Sequence, residues 1–567
     1  MPANNLNKYL GYIDRSYEQI KASLISQMQI FVPEVTDYSE SNILVVMISQ
    51  FSAVAEMLNY YIDNWARESY LEVAQLFSSG YKLTRLTDYR TKSYIAATVD
   101  VTFTIKNADV NFPVTVAYTI PAGTIISTQS GIKFVTVEDA VFNIGDYAVT
   151  VGARQGIAQS NINLGSTTGV AEQRIAIVGA YSEGTMSLQI GADYWDLVDT
   201  MAFSSLLDKH YITEVYSDGL PYIKLGGTFN GVLPAAAQAI LGSYDITVGS
   251  AGNDILPGAI NVIDTVLTLP TGSDEIEVSN PLAPSGGADI EDLESIRLRA
   301  PLDVRTLTRA VTFTDFPDLL LLLPGVKHAA LKYCCGIEAS LYIAPNGGGI
   351  ASSVLLDEAR EYMKCKKIFT ITDNYYKAGI TQVVLMADVY GKYRFTAEAI
   401  YAKVETAVED EFGYDASEIN RQIRLSDIIG EIEKLPEIDY LDNLVIYTIP
   451  YARPLDHDTE LSWDRITKSG STIKLRWRLI YGATGVQIYK GDVYIATYPI
   501  GDTYSDLVAE FTILAGVYTS GMTWEFYTYP YNDDLEIDDY TVPIIDATSL
   551  IVTAHSQNKS FTCKPDC

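Results

Sequence analysis

Basic residues, cysteine and histidine are scarce in this chain of 567 residues. Lys and Arg number 40 against 71 Asp and Glu, a net charge of −31. No run of Lys/Arg exceeds Lys366-Lys367. A phosphate-backbone binder needs clustered cations to displace counterions, so nucleic acid is excluded as a partner class. An anionic membrane surface is excluded for the same reason. Five cysteines (Cys334, Cys335, Cys365, Cys563, Cys567) are too few, and odd in number, for a disulfide scaffold. Their spacing does not pair up as zinc ligands do. Unbroken apolar runs such as Ile43–Ile48 and Leu319–Leu323 fall far short of the ~20 residues a bilayer needs. The first residues carry no apolar leader core. The expectation is a soluble protein made and assembled in a reducing cytosol.

Catalytic signatures are also missing. The four histidines, His210, His328, His457 and His555, lie in no HExxH pattern, and no GxSxG turn occurs. His457, between Asp456 and Asp458, reads as a solvated turn. Asn346-Gly347-Gly348-Gly349 lacks the Lys-Ser/Thr of a phosphate loop and reads as a strand-to-helix turn. The acids Asp533, Asp534, Glu536, Asp538 and Asp539 do not match a calcium loop. The expectation is no enzyme, no cofactor and no metal.

What is present is a sequence of changing periods. In the first ninety residues Leu44, Met47, Phe51, Val54, Leu58, Tyr61 and Trp65 alternate spacings of three and four, a helical seam. Ser39 or Ser41 is the expected cap of that helix. Leu10, Ile13, Tyr17, Ile20, Leu24 and Met28 repeat the pattern and stop at Pro33. Such a pair is either an ordinary hairpin or a seam that enters a bundle with other chains. From about Ser93 the period falls to two, as in Val99, Val101, Phe103 and Ile105, which signals half-buried strands.

Mixed α/β signals follow. A charged helix is expected over Asp289–Arg299 and another from Thr314 to Pro324. A helix is expected from Ser352 to Lys364, with strands at Ala339–Ala344, Lys367–Thr372, Thr381–Tyr390 and Asn443–Thr448. Ile400, Val404, Val408 and Phe412 mark one face of a helix ending at Gly413, and a short helix follows near Ser426–Lys434. After Pro450 the strand pattern returns through Leu475, Trp477 and Leu479, then Val493 and Ile495, then Trp524 and Phe526. Trp463, Trp477 and Trp524 are expected in the core, since alternating strand positions face inward. The fold class is a multidomain α+β chain. It divides into a helical bundle segment (1–92), a large mostly-β region (93–285), a small α+β sandwich domain (286–452) and a C-terminal β-sandwich with tail (453–567).

Several stretches, in order, resemble the baseplate J-like family of phage tails. The most specific run is Gly286-Gly287 with Glu294-Ser295, Arg297, Arg299 and Ala300, then Arg309-Ala310-Val311-Thr312, Asp315 and Pro324-Gly325-Val326. Phe316 stands where that family has Tyr. Leu58–Asp63, Ile120–Thr124, Gly165–Gln173, Trp195 with Tyr211–Val215, Leu225–Gly231, Gly252-Asn253 and Ile423–Asp427 extend the likeness over residues 40 to 450. Leu225 and Gly227 depart from the usual Phe-Gly-Asp-Gly. The resemblance implies a structural wedge subunit of a contractile tail or related injection machine, forming a ring around the tail tube in the virion after assembly in the host cytoplasm. It implies as partners other copies of the chain, a second wedge protein sharing a helical bundle, sheath-initiator and tube or hub proteins, and tail fibres at the C-terminal domain. The Leu44–Trp65 seam suits that bundle. A tail-tip adhesin, and less strongly a glycan-degrading tail enzyme, are the alternatives.

Overall fold

The computed structural model describes residues 16–87, 89–105, 117–267, 276–334, 338–368, 370–449, 453–454, 466–469, 475–482, 485–491, 493–499, 503–505, 509–512, 523–528, 541–547 and 549–556. It is mixed α and β, mostly β, with several separate sheets and eight α-helices among the described residues. The chain packs into two compact units that interleave in sequence. One gathers residues 1–94, 158–245 and 290–305; the other gathers 95–157, 246–289 and 306–567.

The first unit begins with a helical hairpin, α1 (Tyr17–Phe31) and α2 (Ile43–Arg67). A reciprocal capping box starts α1: Gln19 N donates to Ser16 Oγ and Ser16 N donates to Gln19 Oε1. Asn42, not Ser39 or Ser41, caps α2 by accepting from Leu44 N at 2.9 Å. The two serines instead bond each other at 3.1 Å, and Asp37 accepts from Ser39 N. After α3 (Phe77–Thr84) comes a seven-stranded sheet in the order 157–166, 239–246, 187–190, 193–197, 210–215, 221–225, 174–176. The helix α4 (Leu293–Thr306) completes the unit. It starts later than Asp289 because Asp292 Oδ1 accepts from Ser295 N at 2.8 Å, and it runs on through Pro301.

The second unit holds a six-stranded antiparallel sheet ordered 260–263, 125–128, 133–136, 148–155, 98–105, 276–279. Val99, Val101 and Phe103 point into its core, as their alternation implies. α5 (Asp315–Leu322) and α6 (Ser353–Lys364) accompany a three-stranded sheet of Val326–Cys334, Glu338–Pro345 and Thr372–Lys377. Asp100 receives Ser353 N at 2.9 Å, Ser353 Oγ at 2.6 Å and Lys377 Nζ at 3.1 Å, fastening the start of α6 to the larger sheet. Lys367 forms only an isolated bridge to Ala310, so the strand expected at Lys367–Thr372 begins at Thr372 instead.

α7 (Ala397–Phe412) and α8 (Leu425–Glu433) cover a sheet built on the strand Gly379–Gly391. Thr396 caps α7, and Ile400, Val404, Val408 and Phe412 are at most 1% exposed. That sheet takes its last two strands, Thr541–Ile544 and Leu550–Ser556, from the far end of the chain, both parallel to Gly379–Gly391. This corrects the assignment of those residues to a C-terminal sandwich and tail. Strand alternation specifies a face and not a partner, so long-range parallel pairing leaves no local mark. Between Ile449 and Thr541 the described residues form a five-stranded and a three-stranded sheet, with Trp477 of one against Tyr504 of the other, ring centroids 5.8 Å apart.

Candidate interaction surface

α2 is built inside out. An amphipathic helix normally turns its apolar stripe to its own core. Here Val45 and Ser52 are the buried positions, and Ile48, Ser49, Ala55 and Asn59 flank them half-buried. This narrow side, where Val45 and Ile48 sit among small and polar residues, is the covered one. Ser49 Oγ and Ser52 Oγ donate back to Val45 O and Ile48 O, both at 2.8 Å, which satisfies the hydroxyls locally. Glu56 Oε1 accepts from Tyr17 N at 3.1 Å, joining α2 to the first turn of α1. The seven seam residues Leu44, Met47, Phe51, Val54, Leu58, Tyr61 and Trp65 are all exposed, from 40% at Leu44 to 76% at Trp65. Ile43, Val46, Met57, Tyr60 and Ile62 widen the face. Seam counting misses these five, although each lies one residue from a seam position.

The face is large enough to matter energetically. Burying one such side chain contributes about 1.5–3 kcal/mol. At 40–76% exposure the seven have only part of that left to gain, which together is comparable with an association cost of ~4–15 kcal/mol. By length and composition α2 is also long and apolar enough to cross a membrane. Unbroken-run counting overlooked this because single polar residues interrupt the helix. Glu56 and Asp63 argue for a protein environment, since an acidic side chain at mid-bilayer costs about 2.5–3.5 kcal/mol.

The end of α2 is clamped. Glu68 accepts from Gln75 N at 2.9 Å and Leu76 N at 3.3 Å. Burial pushes the Glu68 carboxyl up, but hydrogen bonds from Ser79, Gln75 and Leu76 outweigh it and hold it below its ordinary range. Arg297 of α4 donates to Leu71 O at 2.9 Å and to Ala74 O, while Glu294 pairs with it at 2.7 Å. Arg299 meets Glu291 at 3.5 Å, and Glu291 also accepts from Tyr89 Oη at 2.6 Å and Lys92 N at 2.9 Å. Burial, then the Glu291 charge, raises the Tyr89 phenol far above its ordinary value, so it remains a donor. Ala300 is buried beside them.

The remaining motif residues shape backbone. Gly286 (φ +83°) and Gly325 (φ +90°) lie backbone to backbone, bridged by Asn346, which donates to Gly325 O at 2.8 Å and accepts from Gly286 N at 2.9 Å. A Cβ on Gly287 would fall 2.6 Å from Gly249 O. Asn253 bonds both the N–H and the C=O of Gly287, at 2.9 and 2.8 Å. Asp315 accepts from Val311 N and Thr312 N. Arg309 is exposed and Pro324 half-buried. Phe316, where a tyrosine is usual in the resembled family, is 2% exposed in the apolar core.

The other candidates are structural where they are described. Gly347, Gly348 and Gly349 all have φ near +80°, and a Cβ on Gly347 would strike Asn253, so this is a packed turn. His210 bonds Ser204 Oγ, His328 is buried against Tyr414 O, and His555 faces Asp388 and stacks on Tyr390. Cys365 is a free, exposed thiol. Trp477 is fully buried, so it forms no part of an aromatic binding groove. His457, Trp463, the acids of 533–539 and the cysteines at 335, 563 and 567 lie outside the described residues, as do the side chains of Cys334 and Trp524. Among the described residues no cluster of His, Cys, Asp and Glu could hold a metal ion.

No family model matches the chain, and no curated protein matches it. Among solved structures it is similar to a chain of the anti-feeding prophage baseplate, determined with six-fold symmetry. Identity is 15%, covering 81% of this chain and 94% of that chain, with a TM-score of 0.25. So loose a superposition does not decide the fold.

Proposed function

We propose that the chain is a structural wedge subunit of the baseplate of a phage tail or related contractile injection machine. It assembles into a ring around the tail tube and passes on the change in packing that releases contraction. The observation that carries this reading is the exposed apolar face of α2. A face of that area on a hairpin clamped at its base is suited to entering a helical bundle with another copy and a second wedge protein. The ordered motif residues from Gly286 to Gly325 support the reading, because Arg297 and Glu294 secure the turn from which α2 projects. Charge placement supports it too. The acids of α2, Glu56 and Asp63, sit off the apolar face, so many copies of a −31 chain could pack there without opposing carboxylates. Sheath-initiator and tube or hub proteins would meet the remaining surfaces, and fibres the C-terminal sandwich. The work is mechanical, a switch between two packings.

The test is Phe51→Asp with Leu58→Asp. The variant chain should fold as before and fail to enter complete particles. Normal incorporation would refute the bundle assignment. Flotation of the unsubstituted chain with lipid vesicles, lost in the same variant, would favour a membrane site for α2 instead.

A further inference from the structure

A group of cations and tyrosines gathers on one face of the seven-stranded sheet of the first unit. The register sets Ile212, Lys224 and Arg174 side by side on three neighbouring strands, and sets Glu214, Tyr222 and Ala176 side by side two residues along. Residues two apart on a strand share a face, so Arg174, Lys224, Tyr222 and Glu214 stand on the same side. α3 brings Tyr81 there, and Arg85 follows directly after its last residue. The Glu214 carboxylate is buried and accepts from Arg85 Nη1 at 2.7 Å and from Arg174 Nε at 3.2 Å. The Arg174 guanidinium lies over the Tyr216 ring at 4.6 Å, the Tyr216 ring meets that of Tyr81 at 5.2 Å, and the Arg85 guanidinium lies 5.9 Å from the Tyr81 ring. These contacts form a closed circuit of four side chains around Glu214.

The circuit has donors to spare and lacks an acceptor. The two guanidiniums share one carboxylate. Among the described residues each makes only that hydrogen bond, and both are partly exposed, so their outer N–H groups remain open. Lys224 is engaged by Glu172 at 3.1 Å, and Asp218 by Tyr222 Oη at 2.7 Å. The decisive atom is Tyr81 Oη. The residue is 6% exposed, and its hydroxyl is buried with no hydrogen-bond partner. Burial, then the charge of Glu214, raises the phenol, so it keeps its proton and is a donor without an acceptor. Such a group is costly until an acceptor reaches it, and the chain supplies none.

We propose that Arg85, Arg174 and the Tyr81 hydroxyl form a binding site for a carboxylate group presented from outside the chain. A carboxylate suits the site better than a phosphate dianion. Two guanidiniums sharing Glu214 leave a single charge to balance, and a guanidinium held flat against a ring offers paired N–H groups to a planar, two-oxygen acceptor. A carboxylate of the chain itself already responds to these cations. Lys224, then Arg174 and Arg85, hold the exposed Glu172 carboxyl below its ordinary range. The chemistry is the same for a free carboxylic acid and for an Asp or Glu side chain of another protein. The site uses no residue of α2 and does not depend on the reading of that face.

Titration of the full chain with isotope-labelled acetate at constant ionic strength, read by nuclear magnetic resonance, tests the proposal. The expected result is saturable binding at one site in the millimolar range, as suits a ligand of so few atoms. Arg174→Gln should weaken it at least ~10-fold. Because that change also strips a partner from buried Glu214, Tyr81→Phe is the cleaner variant. It should weaken binding about 3–10-fold while leaving thermal unfolding in chloride unlowered, since the hydroxyl bonds nothing in the free chain. A blocked Ala-Glu-Ala peptide that binds more tightly than acetate would assign the site to a side chain of a partner protein; binding of acetate alone would assign it to a free acid. Absence of saturable binding up to about 100 mM acetate overturns the proposal. So does binding that either substitution leaves unchanged, and so does inorganic phosphate that binds the same site more tightly than acetate.

Discussion

α2 and α7 carry the same kind of sequence signal and meet opposite fates. Both are long helices with apolar residues spaced three or four apart. In α7 the four marked residues, Ile400, Val404, Val408 and Phe412, are sealed against the sheet built on Gly379–Gly391. In α2 all seven marked residues face water, and the covered side is the one with Ser52 and Asn59. Periodicity therefore says that a face is to be buried, and is silent on whether the chain itself supplies the cover. The difference lies in the neighbours. α7 has a sheet and α8 beneath it, whereas among the described residues α2 pairs with α1, a helix with no fully buried residue.

Substitutions can break or sharpen this contrast. The largest effect is expected in α7. Phe412→Ala should cost about 3–5 kcal/mol in denaturant unfolding, because a sealed aromatic is lost and its cavity cannot refill. Phe51→Ala and Leu58→Ala in α2 should each change the isolated chain's stability by less than ~0.5 kcal/mol, since both side chains are more than half exposed. A large loss at Phe51 would mean that α2 is covered within the chain after all.

Arg297→Ala should fall between the two. It strips donors from Leu71 O and Ala74 O and a partner from Glu294, a loss of about 1–3 kcal/mol. Amide exchange should quicken across residues 68–76 while α7 keeps its protection. The smallest expected effect is a pH dependence at Glu68. Its carboxyl is held below its ordinary range when folded, so its contribution is complete above the unfolded value of ~4.3 and disappears as pH falls through the folded one. Exchange at Gln75 and Leu76 should then rise on acidification, and Glu68→Gln should abolish that rise.

How much of this was legible in the sequence depends on the range of the interaction. The α7 face, its Thr396 cap and the Ser352 cap of α6 follow from residues within one or two turns. The strand core of Val99, Val101 and Phe103 does too. The sequence offers Ser39 or Ser41 as the cap of α2 and the structure uses Asn42, because all these side chains can cap and only geometry selects. The return of Leu550–Ser556 to the sheet, and the reach of Arg297 to a carbonyl 226 positions away, have no local signature. The seam follows from spacing alone; its exposure does not, because spacing carries no information about what covers a face.

The central claim is that α2 is covered by other chains in the assembled machine. Hydrogen exchange over Ile43–Arg67, measured on the isolated chain and on intact particles, tests it most directly. The account predicts rapid exchange in isolation and strong protection in the particle, with α7 protected in both. Equal, rapid exchange of α2 in both states would contradict it.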